Sequence, residues 1–274
     1  MSSTLSHPTA TNLQKPIGVF DSGIGGLTVL KGLIDLLPHE SWIYLGDTAR
    51  LPYGSKSPDT IRNYTLQNLK FLKQYDCKAF VIACNSASTQ FPDKEFQGIP
   101  VFNVIEPGVQ AALSFGKNKK IGIIGTKATI NSAVYKTKLQ QAHYVGEILS
   151  QACPLFVPLV EEGLLNEKIT DLVIEKYLHD FKTNHIESLI LGCTHYPLLK
   201  EAILKYFNYP INLISSEVFM SQMIKEHNLE AKPQTQKVPK VKIMTTDDYK
   251  NVEPLANKIL QDISKTFETI DFKF

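Results

Sequence analysis

No apolar run in this chain approaches the roughly 18 residues that a membrane-spanning helix needs. Its first fourteen residues, MSSTLSHPTATNLQ, lack the apolar centre of a secretory signal and are expected to form a flexible leader. Cysteine is scarce. Cys77, Cys84, Cys153 and Cys193, four among 274 residues, do not make a disulfide framework. Together with the missing export signal, this predicts a cytoplasmic protein with reduced thiols. An excess of charge is also lacking: 29 Lys and Arg face 27 Asp and Glu, a formal charge of +2. That balance supplies no electrostatic reason to expect nucleic acid or a membrane as partner.

Several motifs are missing as well. No paired CxxC or HExxH spacing occurs, so Cys84, Cys193 and His195 are not expected to hold a metal. The glycine-rich stretch Asp21-Ser22-Gly23-Ile24-Gly25-Gly26 has the spacing Gly-x-Gly-Gly, not that of a dinucleotide fingerprint. It also lacks the Lys-Ser/Thr of a P-loop. A phosphate-cradling loop stays open, but the plainer expectation is a tight turn from strand to helix, capped by Asp21 or Ser22.

What the chain does have is an alternation of short β-branched runs with longer amphipathic stretches. The runs are Ile17–Phe20, Trp42–Leu45, Ala79–Ala83, Val101–Val104, Lys120–Ile124, Leu155–Val157, Ser188–Leu191, Asn212–Ile214 and Val241–Met244. They lack strict polar alternation, as strands of a parallel sheet covered on both faces do. Ser57-Pro58 has the form of a helix N-cap followed by Pro at the first helical position. Ile61, Tyr64, Leu69 and Leu72 then recur at near-helical spacing. A second amphipathic stretch runs from Glu167 to about Phe181, with Ile169, Leu172, Val173 and Tyr177 on its expected apolar side. The alternation predicts an α/β fold.

An internal echo divides the chain. Ile17-Gly18-Val19-Phe20-Asp21-Ser22 resembles Ile121-Gly122-Ile123-Ile124-Gly125-Thr126, an offset of 104. Ala79-Phe80-Val81-Ile82-Ala83-Cys84-Asn85 resembles Ser188-Leu189-Ile190-Leu191-Gly192-Cys193-Thr194, an offset of 109. Val101–Ile105 and Ile211–Ser215 extend it at 110. Two similar α/β halves follow, each ending one strand in a cysteine. Ligands of open α/β sheets bind beyond the carboxyl ends of strands. Cys84-Asn85, Cys193-Thr194 and Asp21-Ser22 all fall there, so facing halves would direct both thiols into one cleft.

A free cysteine is most often a small buried residue, and Cys77 and Cys153 keep that reading. Cys84 precedes a run of small polar residues that starts a helix, where the positive end of the helix dipole is expected to lower the thiol pKa. Cys193 has His195 two positions on, able to assist proton transfer. Paired thiols suit inversion of a stereocentre, in which one group removes a proton from one face and its opposite delivers one to the other. Arg50-Leu51-Pro52-Tyr53-Gly54 is a loop whose Tyr53 and Gly54 are candidates to line a pocket.

These segments resemble the aspartate/glutamate racemase family, in particular its glutamate racemases. The matching pieces are Gly18–Leu27, Gly46–Gly54, Ala83-Cys84-Asn85, Val104–Gly108, Pro158–Glu161 and Gly192–Pro197, in family order over most of the chain. The resemblance implies two parallel-sheet α/β domains related by pseudo-twofold symmetry, with the active site between them. We expect residues 15–108 plus 221–274 in the first domain and 109–220 in the second. It implies that Cys84 and Cys193 are catalytic, assisted by Asp21 on one side and by His195 with Glu161 on the other. Asp21, Ser22, Tyr53, Gly54, Asn85, Ser86, Thr194 and His195 would bind substrate. The implied activity is interconversion of L- and D-glutamate without cofactor, supplying D-glutamate for peptidoglycan, with a homodimer as the candidate assembly. Departures from the family pattern are Ser86 in place of Thr, Asp247 in place of Gly, and Ser215-Ser216-Glu217 in place of Asp-Ser-Gly. Two alternatives stand beside this reading: aspartate as the substrate, and a two-lobed ligand-binding module with inert cysteines.

Overall fold

In the computed structural model, residues 13–231 and 240–271 are described. The predicted leader lies outside them except at its end, where the Leu13 carbonyl accepts a 2.7 Å hydrogen bond from Lys78 Nζ.

Eleven strands are formed by the described residues: β1 Ile17–Asp21, β2 Trp42–Gly46, β3 Ala79–Ile82, β4 Glu95–Phe96, β5 Ile99–Asn103, β6 Ile121–Gly125, β7 Ile148–Ala152, β8 Ser188–Gly192, β9 Asn212–Ile214, β10 Val241–Thr245 and β11 Lys265–Thr269. The helices are α1 Leu27–Leu36, α2 Pro58–Lys73, α3 Asn85–Ser88, α4 Ile105–Ser114, α5 Lys127–Asn131, α6 Val134–Gln141, α7 Phe156–Glu161, α8 Lys168–Thr183, α9 Lys200–Phe207, α10 Glu217–Glu226 and α11 Glu253–Leu260. One sheet has the order β11-β10-β2-β1-β3-β5-β4, parallel except for β4; the other has the order β7-β6-β8-β9 and is wholly parallel.

The echo in the sequence is an echo in register. Ile17 pairs with Trp42 and Ala79, and its counterpart Ile121 pairs with Ile148 and Ser188. Thus β2-β1-β3-β5 is repeated as β7-β6-β8-β9. The third match is shifted: Phe80 pairs with Val101 while Leu189 pairs with Leu213, two residues past the position the sequence match implied.

Each strand serves two cores because successive side chains point to opposite faces. Ile17 and Val19 join Leu30 and Leu33 of α1 and Ile224 of α10, while Phe20 joins Ile61, Leu69 and Leu72 of α2 on the other side. In the second half, Ile121 and Ile123 pack with Val109 of α4 and Leu139 of α6, and Ile124 packs with Leu178 and Phe181 of α8. The expected division points at 108 and 220 therefore fall inside α4 and α10, the helices that cross between the halves.

Two expectations need correction. Leu155–Val157 is not a strand; from Phe156 it is α7, and Phe156, Leu159 and Val160 are buried at helical spacing. The strand of that region is β7, whose Ser150 and Gln151 obscure the pattern at a half-buried sheet edge. In α8 the buried face is Thr170, Ile174, Leu178 and Phe181, whereas Ile169 and Leu172 are exposed. No helix among the described residues is long and apolar enough to cross a membrane.

Candidate active site

The site grows from three strand ends. Asp21 closes β1, Cys84 lies two residues beyond β3, and Cys193 follows β8 directly. Since β1 and β3 are neighbours in one sheet and β8 occupies the β3 position in the other, the halves present equivalent ends to one another. Four contacts join them there. Thr194 Oγ1 donates to Asp21 Oδ1 at 3.2 Å, and Thr28 Oγ1 donates to the Thr194 carbonyl at 3.0 Å. Tyr135 donates to Asn85 Oδ1 at 2.7 Å, and the hydroxyls of Ser86 and Thr126 lie 2.8 Å apart. Gly25 allows a close approach: a Cβ there would lie 2.4 Å from His195 Nδ1.

Between the halves is a narrow cleft lined by both thiols, Cys84 and Cys193. Ser22, Tyr53, Gly54, Asn85, Ser86, Thr194 and His195 line it too. Asp21 and Glu161 stand one layer back. Asp21 is fully buried and accepts hydrogen bonds from Gly23 N–H and Thr194. The carboxylate of Glu161, about a third exposed, lies 3.2 Å from His195 Nε2. His195 Nδ1 is 3.9 Å from Cys193 Sγ, so its ring bridges thiol and carboxylate.

The two thiols have different surroundings. Cys84 caps α3, its Sγ accepting from Ala87 N–H at 3.5 Å, and it contacts Ser22 Oγ at 3.5 Å. Burial, joined by the negative charges of Asp21 and Cys193, pushes its pKa up to about 12 against those hydrogen bonds. The expected lowering by a helix dipole is therefore overturned. With four residues, α3 has almost no aligned peptides to sum, and desolvation wins. At Cys193 the neighbour is a histidine. Burial alone would lower the His195 pKa, but hydrogen bonds to Cys193 and Glu161 and the charges of Cys193 and Asp21 raise it to about 10. Asp21 is also raised, by burial that outweighs the His195 charge and its hydrogen bonds from Gly23, Gly26 and Thr194.

The loop carrying Tyr53 and Gly54 is set by a buried ion pair that sequence reasoning missed. Arg50 Nε donates to both carboxylate oxygens of Asp47, at 2.9 and 2.7 Å, and its guanidinium lies 4.1 Å from the Tyr64 ring centroid. The Tyr53 hydroxyl donates to Asp47 and accepts from Asn68 Nδ2 at 3.0 Å. That hydroxyl is committed to the support, so Tyr53 offers the cleft its ring. Thr126 and Tyr135 were missed as well. Only the Ile17–Ser22 echo, which ends at Thr126, gave any sign of the first. Among the described residues no group of three or more His, Cys, Asp or Glu could hold a metal ion.

Two pseudo-symmetric α/β halves that close on a cleft with a cysteine from each place the chain among two-lobed α/β proteins with a site between the lobes. The chain belongs to the Asp/Glu/Hydantoin racemase family, whose model matches residues 17–218, and by that membership it is a racemase. It is 45% identical over 251 residues to the glutamate racemase of Sulfurihydrogenibium sp. (strain YO3AOP1), covering 90% of this chain and 95% of that relative. The glutamate racemase of Aquifex aeolicus (strain VF5) is 44% identical over 247 residues, 89% of this chain and 93% of that one. Among solved structures, the glutamate racemase of Francisella tularensis in complex with D-glutamate superimposes with a TM-score of 0.84 at 38% identity, covering 95% of this chain and 99% of that one.

Proposed function

We propose that this protein interconverts L- and D-glutamate by two-base proton transfer, with Cys84 and Cys193 on opposite faces of the substrate α-carbon. One observation carries the reading: two thiols at equivalent strand ends of pseudo-symmetric halves line the same cleft. Inversion requires a proton to leave one face while another arrives at the other, and only groups on opposite walls meet that demand.

The surroundings suggest a division of labour. Cys84, held as a thiol by burial and by Asp21, enters as the acid. Cys193 enters as the base beside His195, whose raised pKa keeps it an imidazolium at neutral pH. Sulfur at Cys193 takes the α-proton, the Cys84 thiol delivers its own proton to the far face, and the thiolate is left on Cys84. In the reverse direction the roles exchange, and the substrate's α-ammonium supplies positive charge that offsets the burial of a Cys84 thiolate. Ser22, Asn85, Ser86 and Thr194 supply hydrogen-bonding groups for the carboxylates. A turnover near 10 per second corresponds to a barrier of about 16 kcal/mol, reached by positioning and electrostatic stabilisation of the carbanion. The D-glutamate formed would feed peptidoglycan synthesis in the cytoplasm.

The test is circular dichroism of L-glutamate incubated with purified protein and no added cofactor, with α-proton exchange followed in heavy water. Signal decay to zero with deuterium incorporation is expected. Cys84→Ala and Cys193→Ala should each lower kcat by about 10²- to 10⁴-fold while unfolding as the parent does. Full activity in either variant would remove that thiol from the mechanism.

A further inference from the structure

Among the described residues no lysine or arginine lines the thiol cleft, and His195 is the basic side chain that does. A dicarboxylate must nevertheless be brought into it from water. Beside the cleft lies an open hollow of about 760 Å³ that shares Gly54 with it. The hollow is walled by both halves. Lys56, Pro58 and Ile61 come from the first, Lys127 and Asn131 of α5 from the second, and among the described residues no carboxylate lines it. Its boundary with the cleft is the contact of Gly54 with Thr126, where a Cβ on the glycine would lie 2.4 Å from Thr126 Cβ.

The two lysines stand close behind that boundary. Lys56 is two residues past Gly54, and Lys127 is one past Thr126, which itself lines the cleft. With consecutive Cα atoms about 3.8 Å apart, both backbones lie within about 8 Å of lining residues, close to the Debye length at physiological salt. Lys127 is exposed, and Lys56 is half-buried with its Nζ 5.9 Å from the Tyr64 ring centroid. Neither lysine lines the cleft, and the backbone of each lies within about a Debye length of a residue that does.

We propose that this hollow is the entry vestibule of the cleft, and that Lys56 and Lys127, one from each half, draw acidic amino acids in and favour them over neutral ones. The proposal rests on the glutamate racemase reading above. It assigns the lysines to capture, not to proton transfer. At about 10 Å in water each unit charge contributes a few tenths of a kcal/mol, which together is a three- to five-fold effect.

The experiment measures kcat and KM for L-glutamate in the parent, in Lys127→Gln and in Lys56→Gln/Lys127→Gln, from about 10 mM to about 0.5 M salt, where the Debye length falls several-fold. At low salt the double variant should lose about three- to five-fold in kcat/KM through KM, with kcat unchanged, and the single variant less. All three should converge at high salt. Charge reversal in Lys127→Glu should exceed the effect of Lys127→Gln. Equal kcat/KM at low salt, or a loss that is independent of salt or falls on kcat, overturns the vestibule while leaving the racemase intact. A parent that does not racemise glutamate overturns the underlying reading, and this proposal with it.

Discussion

At the residue scale, the site places one imidazole where burial opposes its charge and three neighbours favour it. For His195 the neighbours win, and its pKa is raised to about 10 from the ordinary histidine value of about 6.5. A raised folded-state pKa means that the native protein holds the proton more tightly than the unfolded chain. The associated stability is present in full below about pH 6.5 and is lost as pH climbs through about 10. Urea unfolding of the parent and of His195→Gln should accordingly show a stability difference that shrinks steadily between those pH values. A difference that is constant across the range would mean that His195 gains no proton affinity on folding.

Among elements, α2 begins on a single cap. Ser57 Oγ accepts from Thr60 N–H at 3.2 Å, with Pro58 at the first helical position. Ser57→Ala should cost about 1 kcal/mol, seen as a lower urea midpoint at unchanged slope. That cap was legible because its chemistry is local. The buried face of α8 was less so. Ile169 and Leu172 match a helical stripe as well as Ile174 and Leu178 do, and only the sheet beneath selects between them. Leu178→Ala should destabilise by about 2–5 kcal/mol and Leu172→Ala by less than about 0.5.

The same distinction explains what was legible of the fold and the site. Strands β1, β3, β6 and β8 are buried on both faces and stand out as apolar runs, and with them the cysteines at their ends. Strands β7 and β11 are half-buried at sheet edges, so their sequences look like loop. The supporting roles of Asn68 and Tyr135 were invisible because their partners lie 15 and 50 residues away. The pKa of Cys84 was misjudged for a similar reason: helix length and burial are set by the assembled halves, not by the residues that follow the cysteine.

Across the whole molecule, one buried ion pair ties two distant segments, Leu13 before β1 and Ala231 beyond α10, to the larger sheet. Lys78 Nζ lies 2.5 Å from Glu40 Oε2, both side chains almost fully buried, and donates to the Leu13 carbonyl at 2.7 Å. The other Glu40 oxygen accepts from Ala231 N–H at 2.5 Å, beyond α10. Burial raises the Glu40 pKa and lowers that of Lys78, which marks a pair whose desolvation is only partly offset by mutual attraction. Removing one partner leaves the other uncompensated. Lys78→Met should therefore destabilise by about 3–5 kcal/mol. Replacing both, as Lys78→Met with Glu40→Leu, should recover most of that loss, because the desolvation penalty leaves with the charges. The Ala231 N–H and the Leu13 carbonyl would still lose their partners, so recovery should stop short of the parent by roughly the worth of one or two hydrogen bonds, about 1–3 kcal/mol. A double variant no more stable than the single would mean that the pair contributes net attraction, and that these charges hold the Leu13 and Ala231 segments in place more strongly than apolar packing can.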